Sequence, residues 1–196
     1  MSGLTLYLAK PSRGLVVKWM LEELGVEYSE KVRNLENKDH KTPEFLALNP
    51  MGRVPVLTHG DIIVTESTAI CVYLAELFPG QGMEVPVGSP LRAAYLRWLF
   101  FAPVSAEPAI LWQAPGASAT GDYQPFASVE DIAQTLCEAV RGKEYVLEDR
   151  FTTVDVILGS SIYWGLELMP VLPKHPELVE YWGQLAKRDA WQRAIV

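Results

Sequence analysis

Apolar and polar positions divide the chain into a mixed first part and a helical remainder. Leu4 to Ala9 is a short apolar run that reads as a strand. After it Val16, Val17, Met20, Leu21 and Leu24 recur at helical spacing, and Gly25 stands where a helix C-cap belongs. Glu27 to Val32 reads as a second, weaker strand, and Pro43 to Leu48 as a short helix. Val54 to Thr58 and Asp61 to Val64 are β-runs separated by His59 and Gly60, which predicts a hairpin. Glu66 to Phe78 places Ala69, Ile70, Tyr73, Leu74 and Leu77 on one helical face. The order is βαβ followed by ββα, and its first half implies a parallel pair with a right-handed crossover.

The pattern changes at Pro79. Pro79, Gly80, Gly82, Pro86, Gly88 and Pro90 interrupt any regular element, so residues 79–89 read as a linker between a domain over 1–78 and one over 90–196. No strand pattern follows. Ser89-Pro90 is a helix start, a capping side chain followed by proline in the first turn. Leu91, Ala94, Tyr95, Trp98 and Ala102 form the stripe of that helix, and Leu99, Phe100 and Phe101 make it apolar nearly all round. It must be covered on more than one face, by its own domain or by a partner subunit. Further helices are predicted near 126–141, 153–168 and 176–187 and at the end, with a small-residue loop over Ala114 to Gly121. The fold class is therefore α/β followed by all-α.

Composition narrows the function classes. The chain has 196 residues, a net charge of -7 and 49% apolar residues, enough for a sizeable core. An acidic balance argues against a nucleic-acid partner, which needs a basic face. No uncharged apolar run reaches the length of about 18 that a membrane span requires. Met1 to Lys10 lacks the basic region, apolar stretch and cleavage site of a signal peptide. Cys71 and Cys137 lie far apart in apolar helical patterns and form no CxxC. They read as buried free thiols of a protein in a reducing compartment, the cytoplasm, with no disulfide and no metal site.

Two short stretches carry candidate chemistry. In Asn49-Pro50-Met51-Gly52-Arg53-Val54-Pro55-Val56-Leu57, a proline at a strand entrance removes a ladder donor. Val54-Pro55 is a candidate cis bond, which would aim the Val54 backbone N–H and C=O at an extended peptide ligand. An ordinary tight turn before an edge strand fits the same residues. Glu66-Ser67 opens the next helix, where free N–H groups and the dipole favour an anion. Ser67 adds a hydroxyl donor and Glu66 can receive an ammonium, a pair suited to a free amino acid; a plain helix cap explains Ser67 equally well. Thr152 and Asp155 stand at capping-box spacing before an apolar helix and are expected to be structural. Trp98, Phe101, Trp112, Tyr123 and Trp164 are expected mostly in core or dimer contacts.

Taken in order, these stretches resemble a cytosolic glutathione transferase over nearly the whole chain. The resemblance is carried by His40-Lys41-Thr42-Pro43-Glu44-Phe45-Leu46-Ala47-Leu48-Asn49-Pro50 running into Gly52-Arg53-Val54-Pro55-Val56-Leu57, then Glu66-Ser67-Thr68-Ala69-Ile70 and Tyr73-Leu74. Tyr145-Val146-Leu147, Phe151-Thr152-Thr153-Val154-Asp155 and Arg188-Asp189-Ala190 continue it. It implies a thioredoxin-like glutathione-binding domain at 1–78 and an all-helical domain that shapes the pocket for a small hydrophobic electrophile. It also implies glutathione as substrate, no metal, and a homodimer without nucleic-acid or membrane partners. Val54 would pair through its backbone with the cysteinyl part of glutathione, next to cis-Pro55. Glu66 and Ser67 would hold the γ-glutamyl end. Lys41 and Arg53, with His40, would hold the glycine carboxylate, to which cations give charge-assisted bonds.

The family activates the thiol with Tyr, Ser or Cys near the end of the first strand. Arg13-Gly14 resembles the tyrosine type, but the tyrosine would fall at Ala9, and no cysteine lies near. Leu6-Tyr7-Leu8-Ala9-Lys10-Pro11-Ser12 resembles the serine type, the phi and theta classes and bacterial members with such motifs. Ser12 is then the catalytic hydroxyl, with Arg13 the next candidate and a helix cap the structural alternative. A thiol of pKa about 8.5 must ionise near neutrality, and a shift of about two units is roughly 3 kcal/mol. Conjugation, isomerisation, peroxide reduction and dehalogenation would use the same thiolate. A glutathione-transferase-like binding or scaffold module is the alternative from another class, since fold alone does not decide function.

Overall fold

The structure is a computed structural model and describes residues 3–113 and 126–196. The expected loop over Ala114 to Gly121, and Tyr123, lie outside the described residues. The chain divides into two compact units, one formed by Met1–Glu84 together with Arg188–Val196, the other by Val85–Lys187. The division falls inside 79–89, where Met83 and Val85 are buried. The last nine residues, grouped by sequence order with the helical part, belong to the first unit.

The first unit holds a four-stranded sheet of order β2-β1-β3-β4, with β1 Leu4–Leu8, β2 Ser29–Val32, β3 Val56–His59 and β4 Ile62–Thr65. β1 and β2 are parallel, Thr5 opposite Ser29; β3 is antiparallel to β1, Tyr7 opposite Val56, and to β4, Val56 opposite Thr65. β3 starts two residues later than the apolar run suggests, because Pro55 has no N–H for the ladder. The hairpin turns at Gly60 and Asp61, with Gly60 at φ 58 and His59 still paired. Helix α1 (Gly14–Leu24) ends at Gly25 with φ 62, the expected left-handed cap. α2 (Pro43–Leu48) has its expected bounds and is capped by Thr42, whose hydroxyl accepts from the Phe45 N–H. α3 (Ser67–Leu77) follows β4.

Alternation along β1 turns Leu4, Leu6 and Leu8 to one face and Tyr7 to the other. α1 packs against β1 and α3, and Trp19, Met20, Leu21, Ile70 and Leu74 are fully buried. On the Tyr7 face, Tyr7, Phe45 of α2 and Val56 form a small core against which Leu48 and Val54 pack. Gly14 is required at the start of α1: a Cβ there would lie 2.4 Å from Leu8 Cβ and 3.0 Å from Ser12 Oγ. The returning helix α9 (Asp189–Ala194) packs on α1, with Trp191 edge-on to Trp19 at 5.0 Å.

The second unit is helical. α4 (Arg92–Phe101) runs through a wider π-helical turn, Ala102–Ala106, into α5 (Glu107–Trp112). α6 (Val129–Val140), α7 (Thr153–Tyr163) and α8 (Pro176–Leu185) follow. α4 begins two residues beyond the Ser89-Pro90 signal, because the Ser89 hydroxyl accepts from the Leu91 N–H and so closes a turn before the helix. α7 is the central helix, buried from Thr153 to Ile162. Its start is a capping box in which the Asp155 carboxylate accepts from the Thr152 N–H at 2.7 Å. Asp155 also accepts from the Val146 N–H at 2.9 Å and the Tyr181 hydroxyl at 2.7 Å, so one carboxylate joins α7, α8 and the loop before them. Burial pushes its pKa up, and these donors pull it back only in part.

Candidate ligand site at one end of the sheet

Strand directions gather the residues singled out by sequence. β1, β2 and β4 point the same way and β3 the opposite way. The segments after β1, β2 and β4 and the segment before β3 therefore share one end of the sheet. Ser12 and Arg13 follow β1, His40 and Lys41 lie between β2 and α2, Arg53, Val54 and Pro55 precede β3, and Glu66 and Ser67 follow β4. Thr152 and Asp155 belong to the other unit and serve the capping box.

The Val54–Pro55 peptide bond is cis. β1 and β3 stop pairing at Tyr7 and Val56, so Val54 lies beyond the ladder, with its side chain packed on the Tyr7–Phe45–Val56 core. Asn49, which sequence reasoning passed over, organises the approach to it. The buried Asn49 amide donates to the Arg53 carbonyl at 2.9 Å, and its side-chain oxygen accepts from the Met51 N–H at 3.1 Å. Gly52, at φ 58, lets Lys41 fold over the loop, where the ammonium donates to the Met51 carbonyl at 2.9 Å. A Cβ at Gly52 would lie 2.7 Å from Lys41 Nζ. Lys41 and Arg53 are exposed and His40 is half-buried, its Nδ1 buried and without a hydrogen-bond partner among the described residues.

The start of α3 separates the two readings of Glu66-Ser67. The N-cap is Glu66, not Ser67, and no side chain caps the helix among the described residues. The first N–H groups of α3 therefore meet the sheet end uncapped, where the helix dipole favours negative charge. Glu66 itself sits at φ 67, ψ 117, a region that side chains rarely adopt. Such a conformation costs about 1–3 kcal/mol and clusters at ligand sites.

Ser12 is heavily engaged within its own turn. Its Oγ donates to the Ala9 carbonyl at 2.6 Å and accepts from the Gly14 N–H at 3.0 Å and the Ala9 N–H at 3.3 Å. One donor and two acceptors exhaust a hydroxyl. Lys10–Pro11 in this turn is a second cis bond, unlike Val54–Pro55 not singled out by sequence reasoning. Arg13 occupies the N-cap of α1. Its charge draws the Cys71 thiol down slightly, but burial dominates and pushes that thiol up to about 12, so Cys71 is no thiolate nucleophile. Arg33, which sequence reasoning also passed over, extends the end of β2 by donating its N–H to the Leu8 carbonyl at 2.7 Å. Its guanidinium lies 5.1 Å from the Tyr7 ring centre and 5.5 Å from that of Phe45.

Cys71 and Cys137 are both free and buried. Among the described residues no group of three or more His, Cys, Asp or Glu side chains is arranged to hold a metal ion, and no helix is long and apolar enough to cross a membrane. The helical unit has a cavity of about 360 Å³ between α4, α6 and the turn after α6, lined among others by Leu91, Arg97, Trp98, Glu138 and Lys143.

Residues 2–76 match the family described as Glutathione S-transferase, N-terminal domain. The chain is 29% identical over 213 residues to Glutathione S-transferase 3 of Zea mays, covering 100% of this chain and 94% of that protein. It is 49% identical to Glutathione S-transferase 1 of Dianthus caryophyllus over 63 residues, which is 32% of this chain and 28% of the relative. Among solved structures it is similar to a theta class glutathione S-transferase from the citrus canker pathogen Xanthomonas axonopodis pv. citri with glutathione bound. That match has a TM-score of 0.79, 29% identity, and covers 100% of this chain and 98% of the other. A glutathione transferase homolog from Lodderomyces elongisporus, with a TM-score of 0.83 and 21% identity, shares the fold over 100% of this chain and 98% of its own.

Proposed function

We propose that this chain, whose residues 2–76 match the glutathione S-transferase N-terminal domain family, is a glutathione transferase that joins the glutathione thiolate to small hydrophobic electrophiles. The observation that carries the reading is the uncapped start of α3 under a strained Glu66, at the same end of the sheet as cis-Pro55. A free amino-acid terminus satisfies all of it. Its carboxylate takes the open N–H groups and the Ser67 hydroxyl, and its ammonium takes Glu66. In this reading Val54 pairs through its backbone with the cysteinyl residue. Lys41 and Arg53, with His40, hold the glycine carboxylate. The relatives named glutathione S-transferase, and the theta class relative with glutathione bound, support glutathione as the ligand.

The bound thiol loses its proton to solvent, and Ser12, Arg13 or backbone amides stabilise the sulfur anion. The sulfur then forms a bond to an electrophilic carbon, and the leaving group departs with the bonding pair. The serine-type assignment rests on the position of Ser12 after β1. Its saturated hydrogen bonding favours the second reading, a glutathione-binding module without catalysis. We place the protein in the cytoplasm as a homodimer: its thiols are free and buried, and Leu96, Phe100 and Val104 leave an apolar strip exposed on and after α4. Retention on immobilised glutathione followed by a conjugation assay with a generic aromatic electrophile separates the readings. Retention with turnover supports the transferase, retention without turnover supports the module, and failure to bind removes both.

A further inference from the structure

The first unit is discontinuous, and its returning segment is fastened to Trp19, Glu22 and Glu23 of α1 and to Lys10 before it. At its start the Arg188 guanidinium forks onto Glu23, Nε to Oε1 at 2.6 Å and Nη2 to Oε2 at 2.7 Å. Trp19 Nε1 donates to the same Glu23 carboxylate at 2.8 Å. In the middle Trp191 packs on Trp19, and Arg193 Nε meets Glu22 Oε2 at 2.7 Å, the other Glu22 oxygen taking the Tyr28 hydroxyl at 2.9 Å. At its far end the Val196 main-chain oxygen accepts from Lys10 Nζ at 2.7 Å. Lys10 stands two residues before Ser12, inside the turn that Ser12 closes on Ala9. Lys10 also lies 4.0 Å from Glu30, which Lys18 holds at 3.2 Å.

We propose that residues 188–196 are a positioning strap for the Ala9–Ser12 turn, with Lys10 and Arg188 as positioning residues for thiolate stabilisation. The inference rests on the transferase reading above. The bidentate Arg188–Glu23 pair fixes where the strap begins relative to α1, since a planar fork accepts one geometry. The ring contact and Arg193 fix its course along the C-terminal half of α1, and Lys10 ties down the exposed Val196 just beyond them. The turn is thereby held at both sides, by Gly14 against Leu8 and by Lys10 against Val196. Misplacing a catalytic group by about 1 Å costs up to 100-fold in rate, so a tether on this turn acts on the chemical step and not on glutathione affinity.

The test compares wild type, Lys10→Gln, Lys10→Arg and Arg188→Gln in the full chain. It uses ultraviolet titration of the bound glutathione thiolate, calorimetric affinity and conjugation rate. Lys10 is exposed, so its variants should fold. Lys10→Gln should raise the bound thiol pKa and lower kcat near neutral pH about threefold, with glutathione affinity unchanged, and Lys10→Arg should restore both. Arg188→Gln should shift the thiol in the same direction although its charge is far along α1 from Ser12, which distinguishes a tether from a local charge effect. Coincident thiol titrations in wild type and Lys10→Gln overturn the strap while leaving the transferase reading intact. A shift in Lys10→Gln with none in Arg188→Gln assigns the effect to charge and also overturns it. A wild type that binds no glutathione removes both.

Discussion

Ser12→Ala is the most informative single substitution, because the structure sets two opposed expectations for it. The hydroxyl makes three local bonds, to the Ala9 carbonyl, the Gly14 N–H and the Ala9 N–H. Losing them frees the first N–H of α1 and should lower stability by about 1 kcal/mol, the usual worth of a cap. The effect on the thiolate is smaller than that of a free hydroxyl. Its single proton already points at Ala9, so donation to sulfur exchanges a neutral bond of about 0.5–1.5 kcal/mol for a charged one of about 1.5–3 kcal/mol. The net gain is about 1 kcal/mol, which is less than one pKa unit and roughly fivefold in rate. Ultraviolet titration of bound glutathione in wild type and variant, beside their melting curves, reads both effects. The expected result is a lower melting temperature, a thiol pKa raised by less than one unit, and a rate loss that shrinks as pH rises. Coincident titrations would leave Ser12 as a cap and assign the anion to Arg13 or backbone amides. A rise of about two units would refute the exchange argument, because it requires a proton free of Ala9.

Further outcomes follow from other parts of the structure. Gly14→Ala should cost several kcal/mol, as overpacking against an immovable neighbour does, because the new Cβ meets Leu8 Cβ at 2.4 Å; a melting temperature equal to wild type contradicts the close approach. Thr152→Ala with Asp155→Ala should lower stability by about 1 kcal/mol per lost cap or more and leave glutathione affinity nearly unchanged, as chemical denaturation and calorimetry would show. Asp155 has its pKa raised by burial, so the native state holds its proton above the unfolded value of about 3.9. The stability advantage of wild type over Asp155→Asn should therefore be largest below that value and shrink as pH rises through the raised pKa. A gap that widens over that range contradicts it.

The elements legible in the sequence are those whose signals are local. α2 reads correctly from Pro43 because a first-turn proline marks a helix start, and the structure adds the Thr42 cap before it. The hairpin is legible as an alternation, but its turn moves one residue because His59 keeps its place opposite Leu4. α5 was missed because Pro103 and Pro108 look like breakers. The chain nevertheless stays helical past them, widening into the π-turn Ala102–Ala106 around Pro103. Residues at the site were legible by type and spacing, yet their hydrogen bonds were not. That Ser12 is saturated, that Ser67 is not the cap of α3, and that Asn49 holds the Arg53 loop depend on contacts between backbone segments. The return of Arg188–Val196 to α1 and the stacking of Arg33 on Tyr7 and Phe45 are long-range in sequence, and no periodicity reports them.

The central claim is that the sheet end bounded by Val54, Glu66 and Ser67 binds glutathione. Calorimetric titration of the wild-type chain with glutathione, repeated with Glu66→Ala and Ser67→Ala, tests it most directly. The account predicts saturable binding by wild type and a loss of about 1–3 kcal/mol in each variant, the cost of leaving a charged partner unpaired, or roughly 5- to 150-fold in affinity. Absence of binding, or one affinity shared by wild type and both variants, would contradict it.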